Sequence, residues 1–262
     1  MATTRRGRGS AAGQRQRQRA IREFVSETGS CTVDAIARFA SVSAMTVYRD
    51  LEELERLGLL RRAKGVVTAA ASNLQEASSR HRVNQDAGVK RRLGEAALDL
   101  VETGSAIMLD DSSTGLPLAR LLPRRAPLTV ITNYQPIARE LEEQPGIRLL
   151  MTGGEYLAWA DALFGPMTVH AIGRMRADAV FMSASAITDG AVYHPTTEAA
   201  EVKRAMLEAS SLRVLYADRS KFERRALHLV TPLTGYDVII LDKHTPEDHL
   251  AHLPDGLRVI QV

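Results

Sequence analysis

The chain has 262 residues, 45% hydrophobic and 25% charged, with 18 Gly and 10 Pro, the composition of a globular protein rather than a fibrous or low-complexity one. No apolar run reaches the ~18 residues of a membrane span, and the basic N-terminus lacks the apolar core of a secretory signal. A cytoplasmic protein without membrane partners is therefore expected, and a length of 262 residues predicts at least two domains.

The net charge of +3 is unevenly spread. Residues 1–65 carry 13 Lys and Arg against 7 Asp and Glu, a net of +6, while residues 66–262 carry 21 against 24, a net of −3. That split is the electrostatic footprint of a nucleic-acid-binding head on a neutral-to-acidic body. Cys31 is the single cysteine, so no intramolecular disulfide forms, which suits a reducing compartment. Cys31 reads as a small apolar residue in preference to a redox sensor.

In chain order, residues 1–15 read as a basic disordered arm, part of a 19-residue stretch with six Arg and no acid. Residues 16–27 place Ile21, Phe24 and Val25 on one helical face. Thr32 can cap a second helix with apolar positions Val33, Ile36, Ala37 and Ala40. After Ser41-Val42, Ser43 caps a third helix whose inward stripe is Val47, Leu51 and Leu54, with Gly58 just past its end.

Ala44, Met45, Tyr48 and Arg49 fall off that stripe, and Thr46 lies at its edge. Short side chains at the front of a helix let its backbone come close to base edges. Arg49 suits a guanine edge or a phosphate, and Thr46 and Tyr48 suit phosphate. Asp50 would repel DNA and is expected in an internal ion pair. Residues 59–67 then form two short apolar strands around a basic turn, setting Arg61, Arg62 and Lys64 against phosphate. The expectation is a winged helix-turn-helix domain over 16–68, with Thr32 and Ser43 joining these residues as DNA contacts. A small three-helix interaction domain would explain the helices but neither the wing nor the charge split.

Residues 69–87 are small, polar and weakly periodic, as a linker in the form of a hinge or a connecting helix would be. From 88 to 262 the pattern alternates. Candidate strands are Ala106–Asp110, Leu128–Thr132, Arg148–Met151, Ala179–Met182, Arg213–Tyr216, Val238–Leu241 and Leu257–Gln261. Several are continuous apolar runs, the mark of strands buried on both faces. Helical stretches lie between most of them, so the body is expected to be a Rossmann-like, mostly parallel α/β domain.

Such sheets bind ligands at the carboxyl ends of their strands, where the polar residues gather. The first strand runs into Asp110-Asp111-Ser112-Ser113-Thr114-Gly115 and opens a helix, a candidate anion site. Asn133, Gly153-Gly154, Ser183-Ala184-Ser185, Lys203, and Asp218 to Lys221 follow later strands. Hydroxyls and two lysines for a phosphate, with Asp and Asn for hydroxyl groups, suit a phosphorylated sugar or polyol. His244, His249 and His252 read as a solvated face rather than a metal site, and no metal or other cofactor is expected. Trp159 and Tyr156 suit either loop packing or stacking on a sugar ring, and Tyr193 and His194 are equally open.

Ser43-x-x-Thr46-Val47-x-Arg49-Asp50-Leu51, followed by Leu54, Gly58, Arg62 and Gly65, resembles the head of the DeoR family of bacterial transcriptional regulators. The segments LDDSSTGLPLARLL, LTVITNYQPIA, LMTGGEY, LFG, AITDG, EVKRAML and YADRSKF, in that order, resemble the family's effector domain over about 90–242. The resemblance implies a regulator, chiefly a repressor of carbohydrate-metabolism genes, that binds double-stranded operator DNA and senses a phosphorylated sugar. It also implies kinship of the body with ribose-5-phosphate isomerase and CoA transferases. Residue by residue, it implies phosphate contact by Ser112, Ser113 and Thr114, and ligand contact by Asp110, Asn133, Gly153, Lys203, Asp218 and Lys221. Asp111 and Gly154 complete the effector candidates. Heads that read repeated half-sites call for a homodimer or tetramer.

Three departures stand out. Tyr48 replaces a frequent second arginine, and Val66 replaces the second glycine of the wing turn. Asp110-Asp111-Ser112-Ser113-Thr114 stands where the family usually has Asp-Ser-Gly-Thr-Thr. The lost glycine closes conformations with φ > 0, and Asp111 places a negative charge beside the proposed phosphate, which weakens binding unless it points away or pairs with a lysine; either the effector is less anionic than usual or Asp111 faces solvent. The alternative reading is a sugar-phosphate isomerase with an accessory domain, its acid-base groups drawn from Asp111, Asp189, Glu198, Lys203 and Lys221. The DNA-binding head favours a sensor without catalysis.

Overall fold

The computed structural model describes residues 11–28, 30–56, 59–63, 65–69, 76 and 78–262. The chain divides into two compact units, Met1–Ala71 and Ser72–Val262.

The first unit opens with α1 (Ala11–Thr28), β1 (Ser30–Thr32), α2 (Val33–Ala40) and α3 (Ala44–Arg56), and closes with β2 (Leu60–Ala63) and β3 (Val66–Ala69). The three strands pair antiparallel in the order β1-β3-β2, forming the wing. Ile21, Val25, Val33, Ile36, Val47, Leu51, Leu54, Leu60 and Val67 make its core, with half-buried Cys31 packed at the edge. Between α2 and α3 the chain turns at Ser41, which adopts left-handed backbone (φ 52°). Ser43 then caps α3, its Oγ accepting from the Thr46 amide at 3.3 Å.

The expected disordered arm is corrected in part. Helix α1 begins at Ala11 because residues 11–20 are, Gly13 apart, all strong helix formers: Ala, Gln and Arg. Its first turns are also anchored, since Arg17 and Gln18 both bond to the buried Asp50 carboxylate. The rest of that arm, residues 1–10, lies outside the described residues, as do Gly58 and Lys64.

The second unit begins with α4 (Ser79–Asn84) and α5 (Ala87–Leu98). Then follow β4 (Ala106–Leu109), α6 (Gly115–Leu121), β5 (Leu128–Thr132), α7 (Gln135–Leu141), β6 (Ile147–Met151), β7 (Glu155–Leu157), β8 (Ala162–Phe164) and α8 (Pro166–Gly173). The remaining elements are β9 (Ala177–Met182), β10 (Ala186–Thr188), β11 (Ala191–His194), α9 (Thr197–Glu208), β12 (Ser210–Ala217), β13 (His228–Pro232), β14 (Val238–Leu241), α10 (Glu247–Leu250) and β15 (Arg258–Gln261).

All seven candidate strands enter one parallel sheet, ordered β15-β14-β12-β9-β4-β5-β6. β14 is buried along its whole length and β9 at all but one position, as strands covered by helices on both faces must be. The order places the chain's reversal between β4 and β9: β5 and β6 extend one way, and β12, β14 and β15 the other. The carboxyl ends of β4 and β9 therefore flank a topological switch point, where such sheets open a binding crevice.

Part of the expected linker, 69–87, takes the connecting-helix form. Ser79–Asn84 is helical, and Glu76, Ser78 and Ser79 are buried. The Ser79 amide donates to the Trp159 carbonyl at 2.8 Å, and its hydroxyl bonds Tyr134 at 2.5 Å. Polar side chains that look solvated in the sequence are here held by partners within the body.

Candidate functional site

The head presents a surface. Val47, Leu51 and Leu54 turn α3 inward, leaving Ser43, Met45, Tyr48 and Arg49 exposed and Ala44 and Thr46 half-buried. Asp50 is held away from that face by the 2.6 Å ion pair with Arg17, so the outward front carries no carboxylate at this position. Thr32 is exposed and its hydroxyl accepts from the Ala35 amide at 3.3 Å. On the wing Arg61 is exposed. Arg62 is engaged at home: it pairs with Glu55 at 3.3 Å and lies 5.2 Å over the Tyr48 ring, a cation–π contact that couples the wing to the departure residue Tyr48.

The body presents a buried site. Where β4 ends, Asp110 accepts from the Ser112 amide (3.2 Å) through one oxygen and from the Ser183 amide (3.0 Å) through the other. It thus ties the loop after β4 to the loop after β9. Lys203, reaching in from α9, bonds that same carboxylate, donates to the Ser183 carbonyl at 3.3 Å, and stands 3.4 Å from Asp111. Lys90 of α5 donates to Ser113 Oγ at 3.0 Å, and Thr114 donates to Ser183 Oγ at 3.5 Å. None of residues 111–114 has positive φ, so the loop has no need of the family's glycine.

Asp111 is fully buried and paired with Lys203, and the solvent-facing alternative falls. Burial would raise its carboxyl, but Lys203, Arg82 and His194 outweigh that and lower it. Asp110 goes the other way: burial and the charge of Asp111 raise it against the pull of Lys203. Burial disfavours the Lys203 cation, yet the two aspartates hold its ammonium above the usual lysine value.

Asp111, Ser112, Ser113, Thr114, Lys203 and Lys221 line one cavity of about 20 Å³. Asp218 lies beside it, capping a short turn through the Ser220 amide and standing 3.8 Å from Lys221. Besides Asp110 and Asp218, three effector candidates are not among the cavity's lining residues. Asn133 is fully buried, and its amide donates to the Leu163 carbonyl at 2.9 Å. Gly153 offers its carbonyl to Thr168 at 2.6 Å. Gly154 has φ +139°, and a β-carbon there would lie 2.0 Å from Thr168 Oγ1, so packing alone demands glycine. Asp189 and Glu198, once acid-base candidates, are exposed.

Sequence reasoning missed two cavity residues, Glu76 and Arg82, and left the role of a third, His194, open. Arg82 donates to the Asp111 carbonyl at 3.2 Å. His194 accepts from the Thr196 amide at Nδ1 (3.1 Å), which leaves its proton on Nε2, 4.0 Å from the Glu76 carboxylate. Burial pushes His194 down to about 4. Burial acts to raise Glu76, but Arg82, Lys221, His194 and the Ser185 hydroxyl bring it down to about 2. His194 was visible as a histidine at a strand end; Glu76 and Arg82 sit in a polar stretch with no periodicity to mark them.

Two family models cover this architecture: the DeoR-like helix-turn-helix domain over residues 17–73 and the DeoR C-terminal sensor domain over 85–243. The chain belongs to the DeoR family. Among relatives of this DeoR-family regulator, the L-fucose operon activator of Haemophilus influenzae is 30% identical, over 88% of this chain and 93% of that one. The transcriptional repressor AccR of Agrobacterium fabrum is 28% identical, over 92% and 94%. Ribose 5-phosphate isomerase A of Methanocaldococcus jannaschii matches 53% of this chain and 55% of its own at 15% identity and a TM-score of 0.39, too loose a likeness to bear on activity. The DeoR assignment makes the first unit a DeoR-like helix-turn-helix domain and the second a sensor domain.

Proposed function

We propose that this DeoR regulator is a cytoplasmic repressor of carbohydrate-metabolism genes, and that a phosphorylated sugar bound at the carboxyl ends of β4 and β9 releases it from its operator. The observation that carries the reading is the set of hydroxyls and cations around one buried point: Ser112, Ser113 and Thr114 with Lys203, Lys221 and Arg82. Hydroxyls and cations are the groups that bind phosphate esters. On the head, Ser43, Ala44, Met45, Thr46, Tyr48 and Arg49 face the major groove, while Thr32, Arg61, Arg62 and Lys64 take backbone phosphates. Arg62 has to exchange Glu55 for DNA to do so.

The protein works as a homodimer or tetramer, since operators are read as repeated half-sites by symmetric assemblies. It does not catalyse. Isomerisation needs a carboxylate free to take a proton, and Asp110 and Asp111 share Lys203. The test is a thermal-shift screen of the intact chain against phosphorylated sugars, their unphosphorylated parents and inorganic phosphate. A selective rise with one phosphate ester, reduced in Ser113→Ala, is expected. A response to the neutral parent alone would mean that Asp111 has turned the site away from anions.

A further inference from the structure

The outward front of α3 is apolar. Met45 is 65% exposed and Tyr48 44%, and at i, i+3 spacing they are neighbours on one helical face. Across residues 43–49 the only charged side chain is Arg49, and the next carboxylate, Asp50, is buried and paired with Arg17. Glu52 is exposed one turn further on, past the helix front that meets base edges. Adjoining exposed apolar side chains, unlike scattered ones, mark an interaction surface. Two other large apolar side chains exposed on the first unit are placed differently: Phe39 stacks on Phe24 at 4.1 Å, and Val66 sits on β3 of the wing.

Charge names what covers the α3 front. Residues 1–65 carry a net +6, and Arg49 and Arg61 are exposed on α3 and the wing, a field that draws a polyanion. A neutral protein partner would leave that charge unused. Duplex DNA supplies the polyanion and, in its major groove, one apolar group, the thymine 5-methyl. Tyr48 is set for such a contact. The Arg62 guanidinium lies 5.2 Å over its ring and is itself held by Glu55 at 3.3 Å, so little rotamer freedom is left to lose on binding. Met45 brings a flexible thioether that adapts to the shape it meets. Three residues of helix rise about 4.5 Å against about 3.4 Å per base pair, so positions 45 and 48 address adjoining base pairs.

We propose that α3 selects thymine by its 5-methyl group, Met45 and Tyr48 each covering one methyl on adjoining base pairs beside the contact made by Arg49. This rests on α3 entering the major groove, and it names the base chosen there. Met45 and Tyr48 are then specificity-determining residues, and Arg62 is a positioning residue that holds the Tyr48 ring.

The experiment is fluorescence anisotropy of the intact chain with a labelled duplex that it selects from a random pool. Each thymine of the half-site is replaced in turn by uracil, which removes the 5-methyl and leaves the base-pair hydrogen bonds in place; this arm needs no variant to fold. Wild type is expected to lose about fourfold in affinity at each of two adjoining positions, the worth of one buried methyl group. Met45→Ala should abolish the sensitivity at one position and Tyr48→Ala at the other, and Tyr48→Phe, which keeps the ring, should restore it. A half-site without thymine, equal binding of thymine and uracil duplexes, or a uracil effect unchanged in both alanine variants would overturn the proposal. Tyr48→Phe behaving as Tyr48→Ala does would overturn the role of the ring. If Arg49→Ala still weakens the selected duplex in any of these cases, α3 keeps its place in the groove and only the base it reads is refuted. No selected duplex, or one insensitive to Arg49→Ala, Met45→Ala and Tyr48→Ala alike, would refute both.

Discussion

At the scale of single residues, the cavity after β4 and β9 is a balance of buried charges, and His194 records it. Its Nδ1 accepts from the Thr196 amide, and its Nε2 stands 4.0 Å from the Glu76 carboxylate. Burial lowers the ring from its ordinary 6.5 to about 4. A group depressed in the folded state contributes stability that is complete above its unfolded value and lost as the pH falls toward the folded one. His194 therefore weakens the body between pH 6.5 and 4. Between pH 7 and 5 this amounts to about 2 kcal/mol, measurable as a shift in urea midpoint. His194→Gln should lose correspondingly less over the same interval, and an equally steep loss in the variant would show that the ring does not titrate as described.

At the scale of elements, α3 and the seven strands behave differently from the loops. The stripe Val47, Leu51, Leu54 placed α3 correctly because the same period that buries three residues exposes Met45, Tyr48 and Arg49. The parallel strands were legible for a similar reason, since a strand covered on both faces must be apolar throughout. Glu76 and Arg82 were not legible, because a charged residue in a polar stretch carries no sign of what it will meet across the fold. The short strands β7, β8, β10, β11 and β13 were also missed, being three to five residues long with no alternation to set them apart. Asn133 and Gly153-Gly154 sit at strand ends as foreseen, yet are not among the cavity's lining residues, since strand-end position alone does not say which way a loop folds. The orientation of α3 leads to a direct expectation. Arg49→Ala should cost about 1–3 kcal/mol of specific operator binding, the worth of a bidentate base contact, as measured by fluorescence anisotropy, with no change in thermal stability. Unchanged affinity would mean that another face of α3 enters the groove.

At the scale of the whole molecule, the account joins a DNA-binding element to a sensor domain through a chain segment whose Glu76 is seated in the sensor itself. Such coupling requires the effector to have different affinities for the DNA-bound and free forms, and the effect must be reciprocal: DNA weakens effector binding as much as effector weakens DNA binding. The most direct measurement is the anisotropy of a labelled duplex, selected by the intact protein from a random pool, titrated with the phosphate ester that raises thermal stability. The account predicts release of the DNA by that ester but not by its unphosphorylated parent, with the response blunted in Ser113→Ala. DNA binding unaffected at concentrations that saturate the sensor site would contradict it.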